Sequence, residues 1–243
     1  MAGAALLGRL TWRVATVTAV VDETPRVRTL ELEIPGWPGH LAGQHVDVRL
    51  TAEDGYRAAR AYSLASAPGE PPVITVERLE DGEVSPYLTE DVRPGEALEV
   101  RGPIGGYFVW RPHDGGPLFL AAGGSGVVPM RAILRHRRNS KSEVRARLLY
   151  SSPTLEDVIY RAELDGEEVV HTLTRAQPPG WTGYARRVDA DLLREVAWPA
   201  EDRPLAFVCG PTSFVESATA GLVELGYAPG RIKTERFGAT GGR

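Results

Sequence analysis

The feature that most constrains this chain is a change of rhythm near its midpoint. From residue 118 onward, short apolar runs alternate with longer segments of helical period. The runs 118–123 (LFLAAG), 145–152 (RARLLYSS), 167–175 (EEVVHTLTR), 204–210 (PLAFVCG) and 232–237 (IKTERF) read as strands. Between them, 127–138 (VVPMRAILRHRR), 155–164 (LEDVIYRAEL), 188–197 (VDADLLREVA) and 212–227 (TSFVESATAGLVELGY) read as helices. Apolar strands separated by helices predict a parallel sheet covered on both faces. Ligands of such sheets bind beyond the carboxyl ends of the strands. The positions to inspect are therefore 122–126, 150–153, 174–177 and 209–213.

The first half has a different pattern. Segments 12–22, 27–34, 44–51, 56–65, 72–79 and 97–103 are rich in Val, Leu, Thr and Tyr, and several alternate, as in VRTLELEI and HVDVRL. Gly, Pro, Asp and Glu clusters separate them, which predicts a six-stranded antiparallel barrel. A short helix is expected after Ser85-Pro86, with serine as cap and proline in the first turn. The polar stretch 110–117 (WRPHDGGP) reads as a linker. The expected organisation is a barrel domain over 1–112 and a doubly wound α/β domain over 113–243, and 243 residues suffice for both.

Several function classes recede. A single cysteine, Cys209, rules out an internal disulfide and a four-cysteine iron–sulfur site. The five histidines show no paired metal spacing, so no protein metal site is expected. The formal net charge is −4, and the one basic cluster, 135–141 (RHRRNSK), reads as a solvated helix end, so no nucleic-acid partner is expected. The most apolar segment, 117–130, is broken by glycines and a proline, and no basic residues precede the apolar run near the N-terminus. These features predict a cytoplasmic protein without a membrane span.

Four short stretches carry candidate chemistry. In 121–129 (AAGGSGVVP), Gly123, Gly124 and Gly126 allow close backbone approach, and the following helix start offers free amides to a phosphate. The third glycine of the usual dinucleotide spacing is replaced by Pro129, and a tight strand-to-helix turn is the plain alternative. In 208–214 (VCGPTSF), Gly210-Pro211 turns the backbone sharply and places Cys209 at the ligand-facing edge, although a lone cysteine also serves as a small apolar filler. In 82–88 (GEVSPYL), a serine again begins a helix, as a plain cap or equally as a phosphate site whose hydroxyl and following amides point outward. In 60–68 (RAYSLASAP), Arg60 and Tyr62 share one strand face and Ser63 points away. An arginine fork suits a pyrophosphate, a tyrosine a flat ring, and a serine a ring nitrogen. A strand with a wet face is the alternative for that stretch taken alone.

RAYS, GEVS, GGSGVVP, CGP and a C-terminal ERF occur in an order that closely resembles the ferredoxin–NADP reductase family, most of all the single-chain reductases of oxygenase systems. The resemblance covers about residues 12 to 238. It implies an FAD-binding barrel in which Arg60 pairs with the pyrophosphate, Tyr62 lies against the flavin and Ser63 sits near flavin N5. Leu64, Val76, Gly82, Val84 and Ser85 fall in the same site. It implies nicotinamide dinucleotide binding at Gly123, Gly124, Ser125, Gly126 and Pro129, with Ser151 and Ser152 at the next strand end, and Cys209, Gly210 and Pro211 bordering the nicotinamide. Arg175 resembles the arginine that binds a 2′-phosphate, with Arg186 and Arg187 nearby, which points to NADPH ahead of NADH; a solvated strand end is the equal alternative for Arg175. The implied reaction is hydride transfer from NADPH to FAD, then electron transfer to a separate acceptor such as a ferredoxin. A free-flavin or quinone reductase, and a non-catalytic flavin-binding subunit dependent on a partner, are the alternatives. Ser63, Cys209 and Glu235 are the residues expected at the reacting atoms, with Glu235 as a proton relay or, more plainly, a surface strand-end acid. Two departures stand out. One cysteine excludes a fused two-iron two-sulfur domain. The chain also continues past Phe237 through 238–243, so either Phe237 or that tail covers the flavin.

Overall fold

Alternation decides the first half of the computed structural model, which describes residues 10–166 and 168–237. In the strand His45–Thr51, Val46 and Val48 are buried while His45, Asp47 and Arg49 stay partly open. The strands are β1 (Arg13–Thr24), β2 (Val27–Glu33), β3 (His45–Thr51), β4 (Arg57–Ser63), β5 (Val73–Glu77) and β6 (Ala97–Ile104). They pair antiparallel in the order β4-β3-β6-β1-β2-β5. The edge strands meet at an antiparallel bridge between Leu64 and Ile74, which closes the sheet into the expected barrel. Helix α1 (Ser85–Glu90) lies against it, with Leu88 inserted among Val84, Val92, Leu30 and Ile74. Each such buried aliphatic side chain contributes about 1.5–3 kcal/mol relative to exposure.

The second half contains β7 (Leu118–Gly123), α2 (Val127–Asn139), β8 (Ala146–Ser152), β9 (Val169–Leu173), α3 (Ala190–Val196), β10 (Leu205–Pro211), α4 (Thr212–Glu224) and β11 (Ile232–Phe237). All five strands run parallel, in the order β11-β10-β7-β8-β9. All of β7 is buried, because both faces of the sheet are covered. Leu118, Leu120 and Cys209 pack toward α2, whereas Phe119, Ala121 and Val208 pack toward α3 and α4. The strand order reverses between β7 and β10, so the binding crevice of such a sheet lies at their carboxyl ends.

The period of 155–164 predicts a helix, and the structure has turns there instead. Tertiary contacts override the local pattern. The Thr154 backbone N–H and hydroxyl both donate to Asp157 Oδ2, at 3.1 and 2.8 Å. The Ile159 N–H donates to the Tyr150 hydroxyl at 3.1 Å. Tyr160 adopts a positive φ of 58° and buries its ring under Arg131, with its hydroxyl on Thr75 of the barrel.

The two halves share one apolar cluster. Val27, Ala42, Ala65, Phe108 and Trp110 of the first half join α2 and one face of the parallel sheet. Trp110, the first residue of the expected linker, is thus buried. Polar contacts fix the same seam. Lys233 Nζ donates to the Val109 carbonyl at 2.7 Å, the Tyr107 hydroxyl to the Ile232 carbonyl at 3.2 Å, and Arg135 Nη1 to Glu70 at 3.2 Å. Among the described residues no helix is long and apolar enough to cross a membrane.

Candidate active site

On the barrel side, β4 presents Arg60 and Tyr62. Arg60 is exposed and donates from Nη2 to Glu83 and from Nη1 to the Ala59 carbonyl at 2.8 Å. The Tyr56 hydroxyl donates to the other oxygen of Glu83 at 2.5 Å. Glu83 thus bridges two donors, and their hydrogen bonds hold its carboxyl below the usual range, with the tyrosine's bond the larger cause. Tyr62 packs half-buried against the barrel core, and burial pushes its hydroxyl up. Ser63 pairs with His45 in the β3–β4 register.

Three barrel positions differ from the picture of outward-facing cofactor groups. Leu64, Val76 and Val84 have no exposed surface, because their side chains are barrel core. Only backbone groups remain for them to offer a ligand. The Ser85 hydroxyl also turns inward, accepting the Leu79 N–H at 3.0 Å, and the N-cap position is Val84. Gly82 is required by that inward turn, since a Cβ there would lie 2.6 Å from Ser85 Oγ.

On the α/β side, the structure brings together the two turns at the reversal point. Cys209 lies beside Ala122 of β7 and Glu235 of β11 in the parallel register. A Cβ on Gly126 would collide with the Cys209 carbonyl. Cβ atoms on Gly123 and Gly210 would lie 2.9 and 2.7 Å from the Phe214 ring. Those three glycines therefore serve the packing of turn on turn, the plain alternative for AAGGSGVVP. Gly124 opens outward, with φ of 55° and, among the described residues, only Glu77 Oε2 within 4 Å of the place a Cβ would take, at 3.9 Å. Ser125 donates from Oγ to Glu77 Oε2 at 2.7 Å, tying this turn to barrel strand β5. Pro129 is buried in the first turn of α2.

Cys209 is almost fully buried, and burial, reinforced by the Glu235 charge, pushes its thiol well up. Burial also raises Glu235 from an ordinary 4.5 to about 7, and its Oε2 is buried with no partner among the described residues. Glu235 is thus not a solvated strand-end acid. Phe237 pairs with Pro211 and packs against the shared cluster. The tail 238–243, the other candidate for covering a flavin, lies outside the described residues.

At the outer strand ends, Ser151 aligns with Gly123 on one side and Thr172 on the other. Ser152 is buried, and its carbonyl accepts the Thr174 N–H at 2.9 Å. The Arg175 N–H donates to the Pro153 carbonyl at 2.9 Å, while its side chain is exposed and forms no ion pair among the described residues. Arg186 is engaged by Asp189 at 2.6 Å. Glu83, Tyr56, Glu77 and Phe214 are site residues that sequence reasoning missed. Glu83, Tyr56 and Glu77 act through partners 23 to 48 positions away, and Phe214 also reaches Gly123, 91 positions away, which local spacing does not display.

The side chains fit a flat ring carrying a diphosphate. The Arg60 fork already holds an anion, the open Gly124 adjoins a helix start, and at the neighbouring strand end lies a buried carboxyl oxygen with no partner among the described residues.

Comparisons agree with this architecture. Residues 14–109 match the oxidoreductase FAD-binding domain family and residues 120–220 the oxidoreductase NAD-binding domain family. A protein of Sorangium cellulosum named ferredoxin–NADP reductase B is 34% identical over 92% of this chain and 96% of its own length. The ferredoxin reductase component of 3-ketosteroid-9-alpha-monooxygenase of Rhodococcus rhodochrous is 30% identical over 94% of this chain, which spans 66% of that relative. The flavohem-like FAD/NAD-binding domain of nitric oxide dioxygenase from Vibrio cholerae superposes with a TM-score of 0.82 at 25% identity, covering 93% of this chain and 98% of that one. The chain belongs to the ferredoxin–NADP reductase family and is an FAD-dependent NAD(P)H oxidoreductase.

Proposed function

We propose that the protein carries electrons from NADPH, ahead of NADH, through FAD to a separate protein acceptor in the cytoplasm. Residues 1–112 form the flavin unit and 113–243 the dinucleotide unit. The observation that carries this reading is the Ser125–Glu77 hydrogen bond, which joins the glycine turn at the sheet's reversal point to the barrel strand next to the β4–β5 closure. FAD held by these residues would supply the chemistry that turns a two-electron hydride donor into a one-electron source.

Arg60 binds the flavin pyrophosphate, with backbone groups of Gly82, Val84 and Ser85 beside it. Tyr62 supports the ring, and Ser63 donates a hydrogen bond to it, with the backbone of Leu64 and Val76 alongside. Gly124 and Ser125 offer their amides to the dinucleotide phosphates, and Gly123, Gly126 and Pro129 shape that turn. Cys209, Gly210 and Pro211 border the nicotinamide and keep water from it. Glu235 holds a proton at Oε2, as a carboxyl near pH 7 can do at neutral pH. Phe237 shields the site at the sheet edge. Ser151 and Ser152 line the outer strand end, and Arg175, with no ion pair among the described residues, meets the 2′-phosphate. The names of the Sorangium and Rhodococcus relatives support a one-electron protein carrier as acceptor.

The test is an anaerobic titration of the purified protein followed by its visible spectrum. Bleaching of a flavin band by near-stoichiometric NADPH, with NADH needing far more, is the expected result. A flavin band that neither coenzyme bleaches overturns the hydride-transfer reading. A protein that cannot be loaded with FAD overturns the whole assignment.

A further inference from the structure

Glu83 occupies the place at Arg60 where an anion belongs. Its two oxygens are held by two residues of another segment, Tyr56 and Arg60, across 27 and 23 positions of sequence. The Arg60–Glu83 pair is half-exposed, so solvent screens it and it is weak enough to exchange. Glu83 also lines an open pocket of about 500 Å³ with Tyr56, Tyr87 and Ala58, so the carboxylate leaves without disturbing the core. Both of its hydrogen bonds favour the ionised form, so it carries a full negative charge at neutral pH.

We propose that Glu83 is an internal competitor for the flavin pyrophosphate, a displaceable carboxylate that holds the Arg60 fork in the flavin-free protein and sets how tightly FAD is retained. The inference rests on the assignment of Arg60 to the pyrophosphate. FAD binding exchanges one anion for another at the same guanidinium and moves the carboxylate away from an incoming dianion. Both parts of the exchange oppose binding. Removing the charge at position 83 therefore tightens FAD, the reverse of what a ligand-contacting residue does when truncated. A ligand with the same ring and no phosphate does not feel the exchange.

The experiment is a fluorescence titration of the full-length, flavin-stripped protein with FAD and, separately, with riboflavin. Wild type, Glu83→Gln, Glu83→Lys, Arg60→Ala and the Arg60→Ala/Glu83→Gln double variant are compared. Glu83→Gln is expected to lower the FAD dissociation constant roughly tenfold, as screened pairs and like-charge repulsion allow. Glu83→Lys lowers it further, riboflavin binding stays the same, and the gain vanishes in the Arg60→Ala background. Unchanged or weaker FAD binding by Glu83→Gln, with Arg60→Ala still weakening it, overturns the competitor role and leaves the Arg60 assignment standing. Equal tightening of riboflavin also overturns it, since the effect is then an opened pocket. Arg60→Ala that binds FAD as wild type does overturns the assignment beneath the inference.

Discussion

Glu83 and Glu235 stand on the two sides of the proposed active site, and their surroundings push them in opposite directions. Glu83 accepts hydrogen bonds from Tyr56 and Arg60 at the barrel surface and stays ionised. Glu235 lies in the parallel sheet beside Cys209, its Oε2 without a partner among the described residues, and burial raises it to about 7. The neighbouring backbone shows the same contrast. The barrel site is made of half-exposed charged side chains that hydrogen-bond one another. The α/β site is made of main chain packed on main chain, with Phe214 and the Cys209 carbonyl filling the space where side chains would start. One side is adjustable and wet, the other preformed and dry.

The comparison breaks most readily at the glycines. Gly126→Ala is expected to cost about 3 kcal/mol or more, because backbone rather than a flexible side chain blocks the new methyl. Gly124→Ala has open space and costs only about 1–2 kcal/mol for its left-handed φ. Denaturant midpoints of the two variants measure the difference, and equal losses would erase the distinction between filled and open positions.

The dry carboxyl gives the next effect. The folded state raises Glu235 above its ordinary value, so its contribution is fully present below about pH 4.5 and is lost as pH rises through 7. Glu235→Gln removes that loss. The fall in stability between pH 5 and pH 8 should shrink by on the order of 2–3 kcal/mol relative to wild type, read from denaturation at the two pH values. A wild-type curve that is flat over that window would place Glu235 in water.

On the wet side the effects concern binding. Arg60→Ala is expected to weaken FAD by about 1.5–3 kcal/mol, tenfold or more, measured as flavin retained on dilution. The smallest effect belongs to Arg175→Ala, whose exposed side chain should raise the KM for NADPH roughly tenfold or less and leave NADH nearly unchanged. Equal changes in both coenzymes would remove the 2′-phosphate role.

Much of the site is legible in order and spacing. RAYS, GEVS, GGSGVVP and CGP each fall at a strand end or helix start, and the structure gathers Gly124, Ser125 and Cys209 at the sheet's reversal point. What the motifs do not display is which atoms face inward. Ser85 looks like an outward cap and instead accepts the Leu79 N–H. Leu64 and Val84 sit inside motif stretches and are core. Glu77 has nothing in its own segment to mark it, and it becomes a site residue only because β5 packs under the turn at Ser125, 48 positions away.

The sequence by itself determined the barrel followed by the parallel sheet, because side-chain alternation and continuous apolar runs are local consequences of which faces a strand buries. It also determined the family, through short motifs whose residue types suit phosphate and ring. The tertiary structure alone decided that 155–164 is not a helix, since Tyr160 and Ile159 find partners on Thr75 and Tyr150. It alone decided that three glycines are filled by protein, that Glu83 holds Arg60, and that one oxygen of Glu235 is buried. Each of these depends on contacts between residues far apart in the chain, and burial and hydrogen bonding exist only once the chain has closed around them.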